Sequence, residues 1–360
     1  MVARLRAHGL LGEMAAEFAG TFILILFGVG VVAQVVAGGI GNHDSISWAW
    51  GFGVAFGVYT AGKITGGHLN PAVTVANAVF NGFPWRKVLP YSLAQTVGAF
   101  LAALIVRWDY TEVIARFDPG HTIKSQTIFA TLPGNGSAAT GVSLWGGFRD
   151  QIIGTAILLF VVFAITDSRN TAPLANLAPV VVGFLVVAIG MAFGTDAGYA
   201  INPARDFGPR LASFITGYGT AFRDQYGQLY FWVPIVAPLI GGILGAWLYK
   251  VLVGSFLPDA EPPSPIEGTP SAELTLEAAS DLPQAQTAAP SAATANGGAR
   301  SAAPSPETNP NRHPSGSGAR GGRAAAPGRS SDTCGRCDPR PRHRLRALRI
   351  SERHARWQTS

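Results

Sequence analysis

Six long apolar runs constrain this chain more than any other feature. They fall at about 12–37, 46–63, 89–107, 151–167, 176–194 and 231–252, each bounded by charges or turn residues. A run of about 18–25 apolar residues suits a helix across a bilayer. Six of them in one chain point away from a water-soluble fold. Charged residues are only 13% of the 360, where a soluble domain averages roughly 25%. The shortage is local: residues 1–257 hold 14 Lys+Arg and 11 Asp+Glu, whereas the much shorter stretch 258–360 holds 13 and 10. The chain therefore divides into a membrane-embedded body, 1–257, and a polar tail, 258–360. The tail is rich in Pro, Ala, Ser and Gly and then in Arg, and is expected to be disordered because it cannot bury enough apolar surface to fold.

Both cysteines, Cys334 and Cys337, lie in the tail, so the body has no disulfide and no Cys-based metal site. A lone Cys-x-x-Cys is half a zinc site at best. The Arg-rich end of the tail has two readings: a contact with anionic lipid, or an extension that the fold does not need. The net charge of +6 is too small and too scattered to indicate nucleic acid. The first run is too long for a cleavable leader, and Glu13 and Glu17 stand where an apolar core should begin, so the run is expected to stay as a span. Basic residues divide evenly between the two sides. The short basic turn Trp85-Arg86-Lys87 modestly favours a cytoplasmic location for that side and for both termini.

The body repeats itself. Gly66-Gly-His-Leu-Asn-Pro-Ala-Val-Thr74 returns as Gly198-Tyr-Ala-Ile-Asn-Pro-Ala-Arg-Asp206, with the two Asn 132 residues apart. Glu17-Phe-Ala-Gly-Thr21 returns as Gln151-Ile-Ile-Gly-Thr155 at an offset of 134, and Gln95-Thr-Val-Gly98 as Pro238-Leu-Ile-Gly241 at 143. Three spans per copy means that the second copy enters from the opposite face, an inverted repeat. The expected fold class is all-α: six transmembrane helices and two re-entrant half-helices that meet near the midplane.

Asn followed by Pro is a strong helix start. Asn70-Pro71-Ala72 and Asn202-Pro203-Ala204 thus predict two short helices with their positive ends facing each other. Non-helical backbone survives at membrane depth only where it lines a polar cavity. Gly66, Gly67, His68 and Leu69, with Gly198, Tyr199 and Ala200, are expected to offer carbonyl acceptors to such a lane, and the two Asn amides to offer donors. A lone Asn-Pro-Ala is a common cap; two in register within a repeat are specific.

With these motifs, residues 10–253 resemble the aquaporin or major intrinsic protein family, and Asn202-Pro-Ala-Arg-Asp-Phe-Gly-Pro-Arg210 is similar to its glycerol-facilitator branch, the aquaglyceroporins. The resemblance implies a right-handed bundle, a homotetramer with one passive pore per subunit, and a plasma-membrane location. It implies a selectivity filter of Trp50, Gly190, Tyr199 and Arg205, with Gly190 where water-selective members tend to carry His. Asp206, Arg210, Pro234 and Ile235 fit the glycerol branch. It also implies that Glu17 braces a re-entrant loop, and that Gln151 stands where several members have a second glutamate.

Read by themselves, those residues fit a polyol. Gly190 is expected to widen the lane, Trp50 and Tyr199 to face a carbon backbone, and Arg205 to donate to hydroxyls. Trp50 as an interfacial anchor and Tyr199 as simple packing stay open. Asp206 is read as orienting the outer loop, and His68 as bracing its loop in preference to binding a metal. The loop 109–148 is expected to form an outer vestibule. The expected partners are glycerol, water, other small neutral solutes and lipid, with no cofactor and no enzymatic chemistry. The alternatives are a water-selective, urea, ammonia or metalloid channel, a secondary transporter, and an adaptor whose tail is the working part.

Overall fold

The computed structural model describes residues 9–259, so Cys334, Cys337 and nearly all of the tail lie outside the described residues. The described residues form ten α-helices and no strand beyond a single bridge between Arg223 and Leu229. The first half contains α1 (Gly9–Val36), α2 (His43–Thr65), the short α3 (Pro71–Phe80) and α4 (Trp85–Asp109). Two small helices follow in the connecting segment, α5 (Thr111–Phe117) and α6 (Ile123–Gln126). The second half repeats the pattern with α7 (Leu144–Thr166), α8 (Ala178–Ala197), the short α9 (Pro203–Ile215) and α10 (Val233–Leu252).

All six expected spans are helices. Five of them (α1, α4, α7, α8 and α10) are long and apolar enough by composition to cross a bilayer. The exception, α2, has the length at 23 residues but is diluted by Ser, Thr and Gly. It sits between α1 and α8 and turns part of its surface to the interior. The 10 residues of α3 and the 13 of α9 give rods of about 15 and 20 Å, well short of the ~30 Å hydrocarbon layer. Each half-helix also packs on the last helix of the opposite half: α3 on α10, and α9 on α4.

The twofold relation can be read from contacts. Gly51 and Gly183 are 132 positions apart, the same offset as the two Asn, and they face each other across α2 and α8. A Cβ on either would come within 2.6 Å of the other's carbonyl oxygen. Repeat mates that touch each other must lie on the axis relating the two copies. Small residues there let the backbones close up, the usual device for packing helices in lipid.

Polarity is inverted relative to a soluble protein. Glu17, Thr74, Gln95, Gln151, Asp206 and Arg210 are fully buried, whereas Phe27, Phe52, Phe56, Leu93 and Ile105 are exposed on the flanks. Lipid accepts such apolar flanks, and polar groups inside it must find partners within the protein. This is a multi-pass membrane protein.

The segment 110–143 is more ordered than an open vestibule. Besides α5 and α6 it contains a fully buried stretch, Ile128 to Leu132, that rests on the helices. Its corner is held by Asp118, whose Oδ2 accepts from the backbone N–H and hydroxyl of both Thr122 and Ser125. Partial burial works against ionisation of Asp118. The donors from Ser125 and Thr122 outweigh it and hold the carboxyl below its usual range.

Candidate functional site: a lane between two facing half-helices

The two half-helices start as the Asn-Pro pairs predict. Asn70 Oδ1 accepts from Ala72 N at 2.8 Å, and Asn202 Oδ1 accepts from Ala204 N at 3.0 Å and Arg205 N at 3.1 Å. In each case Pro occupies the first helical position, where no N–H is needed. The amide nitrogens then cross the axis. Asn70 Nδ2 donates to Ile201 O, and Asn202 Nδ2 donates to Leu69 O, both at 2.8 Å. These are mirror contacts, because Leu69 and Ile201 are themselves repeat mates. Each Nδ2 has two hydrogens: one pins the halves together and the second remains for the lane.

The chain leading into each half-helix is strained. Leu69, Tyr199 and Ile201 all have positive φ, at 51°, 36° and 45°, which a side-chain-bearing residue holds only when its surroundings over-determine it. The bracing is visible. Glu17 Oε1 accepts from His68 N at 3.0 Å, and its Oε2 accepts from Leu69 N and from Gln95 Nε2, each at 2.7 Å. In the other half Gln151 Oε1 accepts from Ile201 N and its Nε2 donates to Ala197 O, both at 2.9 Å. The acid collects three donors; the amide bonds a donor and an acceptor, so each residue type suits its own loop. His68 is tied by its ring as well, with Nδ1 3.1 Å from Thr74 Oγ1.

A cavity of about 420 Å³ runs along this seam. One wall is polar: Gly66 to Asn70 and Tyr199 to Asn202 border it. The other is apolar and symmetric, with the mates Val54 and Val186, and Leu24 and Leu158, facing inward. On α2 the lining residues Trp50, Val54, Val58 and Gly62 recur every four positions, the stripe of one helix face. The cavity reaches Asn77, Thr166 and Asn176 at one end and Trp50, Tyr199 and Arg205 at the other.

At that second end, the Arg205 guanidinium carbon lies 3.9 Å from the centroid of the Trp50 ring. Trp50 is buried, which sets aside the interfacial-anchor reading. Among the described residues the Arg205 guanidinium makes no hydrogen bond, so its donors are free to meet whatever enters. Gly190 does not border the cavity. A Cβ there would lie 2.8 Å from Tyr199 Cζ and 2.9 Å from Ser47 Oγ. The space left by the missing side chain is taken by the Tyr199 ring, so Gly190 bears on the lane through that ring and does not border it directly. Gly198 also stands off the cavity, against Thr131 and Asn135.

Asp206 and Arg210 lie behind the lane and hold the outer segment. Asp206 Oδ1 accepts from Arg210 Nε at 2.8 Å, and its Oδ2 accepts from Thr131 N at 2.8 Å and Thr131 Oγ1 at 2.6 Å. The two remaining Arg210 nitrogens donate at 2.7 Å to Ala221 O and Thr131 O. Pro234 and Ile235 are in the first turn of α10, and neither borders the cavity. Sequence reasoning missed Ile201, Thr131, Asn135 and His43. Ile201 was available from the repeat, as the mate of Leu69. The others carry no local signature, because their partners are 59 or more positions away.

An inverted repeat of helices, two half-helices meeting cap to cap and a lane along their seam define a membrane channel architecture. The family model described as major intrinsic protein matches residues 4–249, and the chain belongs to that family. It is 45% identical over 257 residues to Aquaglyceroporin-9 of Botryotinia fuckeliana, covering 69% of this chain and 55% of the relative. It is 46% identical over 247 residues to Probable aquaglyceroporin-2 of Gibberella zeae, covering 66% and 71%. The match thus spans little more than half the length of the first relative. Among solved structures, the aquaglyceroporin from Plasmodium falciparum superposes with a TM-score of 0.62 at 32% identity, covering 69% of this chain and 98% of that one.

Proposed function

We propose that the chain is a passive channel for glycerol and related small neutral solutes, with water passing as well. The observation that carries this reading is the two-sided lane. A polyol has a carbon edge and a hydroxyl edge, and a desolvated hydroxyl must find a partner or the solute does not enter. Here the apolar stripe of Trp50, Val54 and Val186 faces backbone acceptors and the donors of Asn70, Asn202 and Arg205. The relatives named aquaglyceroporins support the same substrate class. By the same family resemblance the channel works as a homotetramer in the plasma membrane with both termini cytoplasmic.

The test is stopped-flow light scattering on liposomes containing the purified protein. Glycerol flux should be non-saturating, with a low temperature dependence. Saturable uptake that collapses with a proton gradient would replace the channel by a secondary transporter. Deleting 258–360 should leave flux unchanged, since the proposed pore lies wholly within the body; lost flux would give the tail a working role.

Arg205 also bears on ions. Each half-helix start carries about half a positive charge, and Arg205 adds a whole one at the mouth. Arg205→Ala should therefore admit cations at a measurable rate while neutral solutes still pass, as read by potassium or proton leak in the same liposomes. Unchanged exclusion would mean that the two facing helix ends suffice.

A further inference from the structure

Tyr199 and Arg205 both border the lane at its Trp50 end, and three features surround the Tyr199 ring. Gly190 gives it a seat. Gly194, one turn further along α8, lets it approach the helix, since a Cβ there would lie 3.3 Å from Tyr199 Cε1. The third is His43, in the first turn of α2. Its Nε2 lies 2.9 Å from Gly190 O, and its ring meets the Tyr199 ring edge to face, with centroids 6.3 Å apart and planes at 89°. A Cβ on Gly194 would collide with the His43 ring, so the imidazole fills the pocket over α8 beside the tyrosine. A carbonyl oxygen can only accept, so Nε2 carries a hydrogen and donates it. His43 is also seven residues before Trp50, two turns up the same face of α2, so one helix supplies both the Trp50 wall and this stop.

Resting on the channel reading above, we infer that His43 is a positioning residue for solute size: by bonding Gly190 O and wedging against Tyr199, it sets how far the tyrosine ring stands from Arg205. Tyr199 is weakly anchored through its own polar groups. Its backbone is at positive φ, and its buried hydroxyl faces Ser47 without a well-aligned hydrogen bond. With His43 gone, the ring can move back into the vacated space over Gly194, and the opening beside Arg205 enlarges.

The experiment compares permeabilities of water, glycerol and the four-carbon polyol erythritol in liposomes. In His43→Ala the erythritol-to-glycerol ratio should rise about fivefold, the factor expected from losing one hydrogen bond that holds a mobile group. Water flux should change little. His43→Gln, whose amide N–H can still reach the carbonyl, should restore most of the wild-type ratio. In a Tyr199→Ala background, His43→Ala should add nothing further, because the two act through one ring. An unchanged ratio in His43→Ala, or an equal His43→Ala effect with and without Tyr199, would overturn the inference. Should His43→Ala fail to assemble, His43→Ser vacates the same space, is too short to reach the Gly190 carbonyl, and must still raise the ratio. Absence of glycerol flux in the wild type would sink the channel reading instead, so the two failures are distinct.

Discussion

Gly190→His is expected to cut glycerol flux about tenfold or more while water flux falls much less. The cause is steric. A Cβ alone at 190 would lie 2.8 Å from Tyr199 Cζ and 2.9 Å from Ser47 Oγ, before any imidazole atom is added. The new ring must expel Tyr199 from its seat, and the tyrosine's open direction is into the lane toward Arg205. Forcing extra bulk into a packed site costs about 1–3 kcal/mol, and each 1.4 kcal/mol on a barrier is about tenfold in rate. Water is smaller and makes its own hydrogen bonds to the imidazole, so it tolerates a narrower lane. Side-by-side osmotic and glycerol permeabilities on the same liposomes check this. Equal loss of both would show general occlusion, and the assignment of Tyr199 to the solute path would fail.

Arg210→Leu is expected to destabilise the protein more than any change along the lane. Arg210 is fully buried, and all three of its nitrogens are bonded: to Asp206, Ala221 O and Thr131 O. Removing it strands the Asp206 charge in a buried site and leaves two carbonyls without these donors. Breaking a buried ion pair in this way costs about 3–5 kcal/mol. For a body of this size that corresponds to a fall of about 10 °C in the melting temperature. Arg210→Lys should recover little, because an ammonium cannot reproduce the planar fork. Asp206→Leu with Arg210→Leu should recover part of the loss, since no charge is then left unpaired. Recovery should be incomplete, because both Thr131 donors lose their acceptor. Melting in detergent measures the stability, and protease nicking within 123–140 reports release of the outer segment. Melting within about 1 °C of wild type would show that the Asp206–Arg210 clamp is idle.

Several features were legible from residues alone because the physics behind them is local. Whether a stretch partitions into lipid depends on its own side chains, so the six runs could be found with ends up to seven residues adrift. Asn70-Pro71 and Asn202-Pro203 start helices because the cap and the fixed proline φ act within one turn. The offset of 132 implied a twofold relation before any contact was known. The same offset finds its own proof in Gly51 against Gly183. The composition of α2 was the least decisive, since a helix that turns one face inward can afford Ser, Thr and Gly that a lipid-clad one avoids.

Other features had no local signal. The sequence marks Gly190 as small; only the fold shows that the vacancy is filled by a ring from nine residues later along the chain. It marks Asp206 and Arg210 as charged residues in an apolar setting; only the fold shows Thr131, 75 residues earlier, closing their network. His43 and Asn135 carry no motif and matter here through carbonyls on α8. Transfer to lipid and helix capping are properties of a short stretch, and so residues alone determined the spans, the caps and the inverted repeat. The shape of the lane follows from side chains brought together from distant stretches, and that meeting depends on packing, which no single stretch contains.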